Sequence, residues 1–160
     1  MKRFLCCVLL ILAAFFLQNN VFSASPLILT TPNVLLILVF SFGFLRGSTE
    51  GMLIGFACGL LMDVFMHSLG LHATAMLVMS FVRLFVGPSD STRLEAPGLD
   101  GGLLWYARYV LVLVLIHHTV LILLASFTLH HLWLTLLRIA LSTACSVLFI
   151  LIASALRVRR

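Results

Sequence analysis

Residues 43–63 read GFLRGSTEGMLIGFACGLLMD. Glycine recurs there at every fourth position, Gly43, Gly47, Gly51, Gly55 and Gly59, and the next step of four is Asp63. Residues four apart lie on one face of a helix, each a turn beyond the last. From Gly51 onward the stretch is continuously apolar until Asp63, so a helix there carries a bare backbone groove that ends in a carboxylate. Bare grooves in apolar helices allow a second helix to approach closely. Two occupants fit the groove at Gly51, Gly55 and Gly59: another helix of this chain, or a helix of a partner.

The composition says what surrounds it. The 160 residues are 62% hydrophobic and 9% charged, whereas a soluble domain is about half apolar and about a quarter charged. No water-soluble fold covers that much apolar surface, and the apolar runs are continuous, without the alternation that a membrane barrel needs. The expected class is all-α: a single integral membrane domain, 1–160, lying in a lipid bilayer. The net charge of +5 does not indicate nucleic acid, because the basic residues punctuate apolar runs and form no patch. Cys6, Cys7, Cys58 and Cys145 show neither zinc-ligand nor disulfide-framework spacing.

Hydropathy places six transmembrane helices at about 4–22, 33–45, 51–66, 71–86, 103–129 and 132–156. Residues 1–23 also have the form of a signal peptide; an uncleaved first helix is the expected reading, because five further spans follow. Pro32 suits the first position of a helix. The second span is short, about 20 Å at 1.5 Å per residue, and Arg46 closes it. Pro88 and Gly102 bound the one extended polar segment, a loop over 88–102. An even number of spans puts both termini on one side. Lys2, Arg3, Arg46, Arg83, Arg93, Arg108, Arg157, Arg159 and Arg160 fall on that side, nine of the ten basic residues. The positive-inside rule therefore places the N and C termini in the cytoplasm.

Few residues could carry chemistry. Asp63 lies about a turn from the outer end of the third span, a costly place for a carboxylate unless it is paired, neutralised or hydrated. Arg138, the tenth basic residue, lies near the outer end of the sixth. An ion pair between them would fix the third helix to the sixth; the alternative is that Asp63 reaches outer water and Arg138 snorkels by itself. His67, His72, His130 and His131 gather at the outer side, where a solvated or interfacial role is expected and no metal site is required. His117 and His118 lie mid-span, where hydrogen bonding to a neighbouring helix is expected. No nucleophile–base pair, phosphate loop or carboxylate dyad is present, so neither enzymatic activity nor a cofactor is expected.

The chain resembles the MreD family of rod shape-determining membrane proteins. The resemblance is carried by a first span ending near Gln18, by Pro32-Asn33 opening an apolar helix, and by Gly43-x-x-Arg46-Gly47. It is strongest in Gly51-x-x-x-Gly55-Phe56-x-x-Gly59-Leu60-Leu61-x-Asp63 followed by Leu69-Gly70. It covers about residues 18–73; Asn33 stands where the family more often has Asp, and beyond Ala73 the likeness is one of hydropathy and size. The resemblance implies a non-enzymatic scaffold of bacterial cell-wall elongation in the cytoplasmic (inner) membrane. Its partners would be an MreC-like bitopic protein and, through it, MreB, RodA and a transpeptidase. The family's six-helix fold is similar to that of the substrate-binding subunits of energy-coupling-factor vitamin transporters, which supplies the alternative function. Against it, the outer links are short, and the first helix lacks an Ala-x-x-x-Ala docking patch.

Overall fold

The computed structural model describes residues 49–86, 102–126 and 132–158, together with Phe16, Asn33 and Leu36. The described residues form four helices and no strand: α1 Thr49–Met66, α2 Leu71–Val86, α3 Leu103–Ser126 and α4 Leu132–Val158. They occupy the third to sixth apolar segments. Most of the first two expected spans, residues 88–101 of the expected loop, and Gln18, Pro32, Gly43, Arg46 and Gly47 lie outside the described residues, as do the termini.

At 1.5 Å per residue α3, with 24 residues, is about 36 Å long and α4, with 27, about 40 Å. Both are long and apolar enough to cross a membrane. The apolar parts of α1 and α2, Gly51–Met66 and Leu71–Val86, are shorter.

Each helix packs on the next, α1 on α2, α2 on α3 and α3 on α4. On α2, Arg83 faces Tyr109 of α3 and Ala75 faces His117. Both steps are eight residues (83 − 75 and 117 − 109), so the two helices run antiparallel in constant register. Tyr106, near the start of α3, shares a hydrogen bond of 2.9 Å with Ser154, near the end of α4, which makes that pair antiparallel as well.

The core joins Met62 of α1, Met76 and Met79 of α2, Tyr106, Tyr109, Val110, Leu113 and Val114 of α3, Ile150 of α4, and Leu36. Methionine suits such a site, being unbranched and able to fill irregular gaps between helices. Polar side chains are buried beside it: Asn33, Asp63, Ser80, His117, Ser142, Thr143, Ser146 and Ser154. Large apolar ones face outward, among them Leu53, Val64, Phe85, Leu104, Trp133 and Leu156. Large apolar side chains thus cover the outside as well as filling the core, unlike the surface of a water-soluble protein.

Candidate functional site

The glycine groove of α1 is filled by α2. A Cβ at Gly59 would lie 2.6 Å from the Cα of Ala73, 2.6 Å from the carbonyl oxygen of His72 and 2.8 Å from the nitrogen of Ala73. All three are backbone atoms that no rotamer change can move. A Cβ at Gly55 would collide with the Ser80 hydroxyl, and Gly51 is buried on the same face. Of the two occupants that fit the groove, α2 of the same chain holds it at Gly55 and Gly59.

The turn that brings α2 back is four residues long. His67 adopts a left-handed conformation (φ 53°), and the Ser68 amide donates to the Asp63 carbonyl at 3.0 Å. That six-to-one bond across a left-handed residue is a Schellman ending for α1. Gly70 has φ +84°, which a side chain would strain. Its carbonyl accepts the first α2 bond, from the Thr74 amide at 3.0 Å. Gly70 thus occupies the N-cap position, where Ser, Thr, Asp or Asn normally supplies an acceptor for the free amides of the first turn.

Asp63 supplies that acceptor from the other helix. Its Oδ1 accepts from the His72 amide at 2.9 Å and its Oδ2 from the Ala73 amide at 2.9 Å. Oδ1 also accepts from the Ser68 hydroxyl at 2.6 Å and lies 3.0 Å from His72 Nδ1. The carboxylate therefore sits at the positive end of α2 with four donors around it, where a helix dipole favours negative charge. Because a carboxylate only accepts, the hydrogen of the neutral His72 ring is on Nδ1. Ser68 Oγ, 2.9 Å from that same nitrogen, receives part of it.

Serine, histidine and aspartate meet here without forming a nucleophilic triad. A triad sets the serine on one ring nitrogen and the carboxylate on the other. Here both lie on Nδ1, and Ser68 donates directly to the carboxylate. The cluster is a cap.

Two expectations are corrected by this geometry. The carboxylate's partners are Ser68, His72 and the Ala73 amide and not Arg138, which is exposed on α4. The reason is topological: α1 is packed on α2, and the outer turn supplies enough donors to satisfy the carboxylate locally. His72, expected in a solvated or interfacial role at the outer side, is buried at 9% exposure, because the tight turn folds it back over Asp63.

A second polar cluster lies deeper. Asn33 donates its backbone N–H to Ser146 Oγ at 3.2 Å and its side-chain amide to His117 Nε2 at 3.1 Å. The Asn33 carbonyl accepts from the Leu36 amide at 3.1 Å. His117 is wholly buried and lies between Asn33 and the backbone of Ala75. His117 thereby ties α3 to Asn33, and the Asn33–Ser146 bond carries the link on to α4. His118 donates from Nδ1 to the Val114 carbonyl of its own helix at 3.0 Å. Among the described residues no group of three or more His, Cys, Asp or Glu is placed to hold a metal ion.

Ser68, His72 and Ser146 were not singled out as partners by sequence reasoning. A signal for the first two exists: a carboxylate in the last turn of one helix, a short turn, and a glycine where the next helix needs a cap. No signal of spacing points to Ser146, whose bond to Asn33 joins residues 113 apart. No family model, curated protein or solved structure matches this chain.

Proposed function

We propose that the chain is a non-enzymatic, multi-pass scaffold of the bacterial cell-wall elongation complex, of the MreD type. It lies in the cytoplasmic membrane as a six-helix bundle with both termini in the cytoplasm. The observation that carries the membrane part is the apolar exterior, with Leu53, Phe85 and Trp133 facing out, beside polar groups such as Asp63, His117 and Ser146 held inside. Buried polar groups bonded to one another, with aliphatic surface facing out, are the arrangement that suits lipid as solvent. Trp105 and Trp133, both exposed, begin the two antiparallel long helices and so fall at opposite ends of the pair. Interfacial aromatic belts have that placement.

The scaffold part rests on how the residues of the sequence resemblance are used. Gly55, Gly59, Asp63 and Gly70 all serve to close one hairpin. None of them is left over for substrate chemistry. That hairpin leaves an outward apolar face, Leu53, Leu60 and Val64, of a kind that a single-span partner helix could cover.

The test is affinity capture of the tagged full chain from membranes in mild detergent. Recovery of an MreC-like bitopic protein, with MreB, RodA and a transpeptidase behind it, is the expected result. Recovery of an ATPase pair with a coupling subunit, or of a bound vitamin, would establish the transporter reading instead.

A further inference from the structure

Arg83 is the basic residue in the last turn of α2, half-buried, with its guanidinium facing the Tyr109 hydroxyl of α3. The Tyr109 ring stacks on Trp105, one turn earlier, with centroids 5.5 Å apart and planes inclined by 10°. Trp105 is 37% exposed. Arg108 is exposed and stands three residues from Trp105, so it borders the same side of the helix. Two arginines thus flank an aromatic plate at one end of the α2–α3 pair.

The same end carries further positive potential. α3 starts after Gly102, whose carbonyl accepts the Tyr106 amide at 3.0 Å. It has no acidic residue in its first turn. The first amides of a helix have no intrahelical acceptor and carry the positive end of its dipole. Among the described side chains the one carboxylate is Asp63, held at the opposite end of α2. Beyond Arg108 the exposed side continues as Leu111 and Leu115, at helical spacing and apolar throughout.

We propose that this end binds the phosphate of an anionic phospholipid, with Arg83 and Arg108 on the headgroup, Trp105 at the glycerol level, backed by the buried Tyr109 ring, and an acyl chain along Leu111 and Leu115. The proposal rests on the membrane reading above, which puts these arginines on the cytoplasmic side. Arginine suits the task because its planar fork takes two phosphate oxygens at once. Basic pockets between helices on that side are recognised lipid-headgroup sites.

The experiment uses the full chain in lipid nanodiscs, with Trp133→Phe leaving Trp105 as the one tryptophan of the two in the sequence. Its fluorescence is quenched in parallel by brominated phosphatidylglycerol and brominated phosphatidylcholine, each diluted into unbrominated phosphatidylcholine. Stronger quenching by the anionic lipid is expected, with an enrichment of roughly fivefold per arginine at low salt. The preference should vanish in the Arg83→Gln/Arg108→Gln variant and persist in Arg83→Lys/Arg108→Lys, which keeps the charge and so separates binding from misfolding. Equal quenching by the two lipids overturns the proposal. Loss of the preference on adding millimolar inorganic phosphate at constant ionic strength also overturns it, since the site would then take the free anion. A preference seen only after Glu50→Gln, Asp90→Asn, Glu95→Gln and Asp100→Asn overturns it too, because the chain's own acids would hold the site. Absence of quenching by either lipid would instead strike the membrane reading.

Discussion

Between α1 and α2 the contact is backbone on backbone: Gly59 leaves no room for a Cβ against Ala73 and the His72 carbonyl. Between α3 and α4 it is side chain on side chain, with the Tyr106 and Ser154 hydroxyls 2.9 Å apart. The first pair is short, 18 and 16 residues, and is joined by a turn in which two residues have positive φ. The second is long, 24 and 27 residues. In the lipid setting proposed above, the hydrophobic effect does not hold helices together, so packing and hydrogen bonds must. A short hairpin has little length over which to gather contacts. It compensates by closeness and by turn chemistry, whereas a long pair can spread many weak contacts along its length. The hairpin should therefore be the intolerant half of the molecule and the long pair the tolerant one.

The sharpest test of that contrast is Gly59→Leu. Inserting side-chain bulk into a packed site costs about 1–3 kcal/mol where neighbours can shift. Here the neighbours are α2 backbone atoms, so the expected cost exceeds that range and the hairpin opens. Thermal unfolding of purified protein, followed by size-exclusion in detergent, should show loss of the monodisperse species while membrane insertion is retained. Gly55→Ala should be milder, because the colliding atom belongs to the Ser80 side chain. A Gly59→Leu protein as stable as the parent would remove the hairpin's special status.

Next in size is Asp63→Asn. The substitution keeps one acceptor but turns an amide toward the Ala73 N–H, donor against donor. It also withdraws negative charge from the start of α2. Losing a cap costs about 0.5–2 kcal/mol, and a buried donor without a partner about 1–3 kcal/mol. A destabilisation of about 2 kcal/mol is expected, with amide hydrogen exchange rising first at His72 and Ala73. Unchanged exchange at those two amides would mean that the carboxylate is not their cap.

Tyr106→Phe probes the tolerant half. It removes one interhelical hydroxyl bond between α3 and α4, and such bonds average about 0.6 kcal/mol in membrane proteins. The rest of the long interface stays in place. A loss several times larger in the same unfolding assay would show that the long pair depends on single contacts as the hairpin does.

How much of this could be read from sequence follows the same division. The all-helical class and the glycine face were legible because both are periodic: Gly51, Gly55 and Gly59 repeat at the helical step and need no knowledge of the turn that follows. The partner of Asp63 was not legible. His72 reads as a polar residue beyond a turn, and only the left-handed φ of His67 and the recoil at Gly70 bring it over a carboxylate nine residues earlier. The Asn33–Ser146 bond was hidden for a simpler reason, since contact between residues so distant in sequence leaves no local pattern.

Arg138 should show the smallest effect of all, and it separates two accounts of the hairpin. If an Asp63–Arg138 pair tied the third expected span to the sixth, removing the arginine would leave a buried carboxylate uncompensated, at a cost of about 3–5 kcal/mol. With the carboxylate already held by Ser68, His72 and Ala73, and the arginine exposed, Arg138→Gln should shift stability by no more than about 0.5 kcal/mol. The exchanged double variant, Asp63→Arg with Arg138→Asp, should be as unstable as Asp63→Arg alone, because an arginine at position 63 faces two backbone donors and the positive end of α2. Rescue by the exchange would restore the long-range pair and demote the cap. A deficit that is additive, with no coupling between the two positions, leaves the hairpin closed by its own turn.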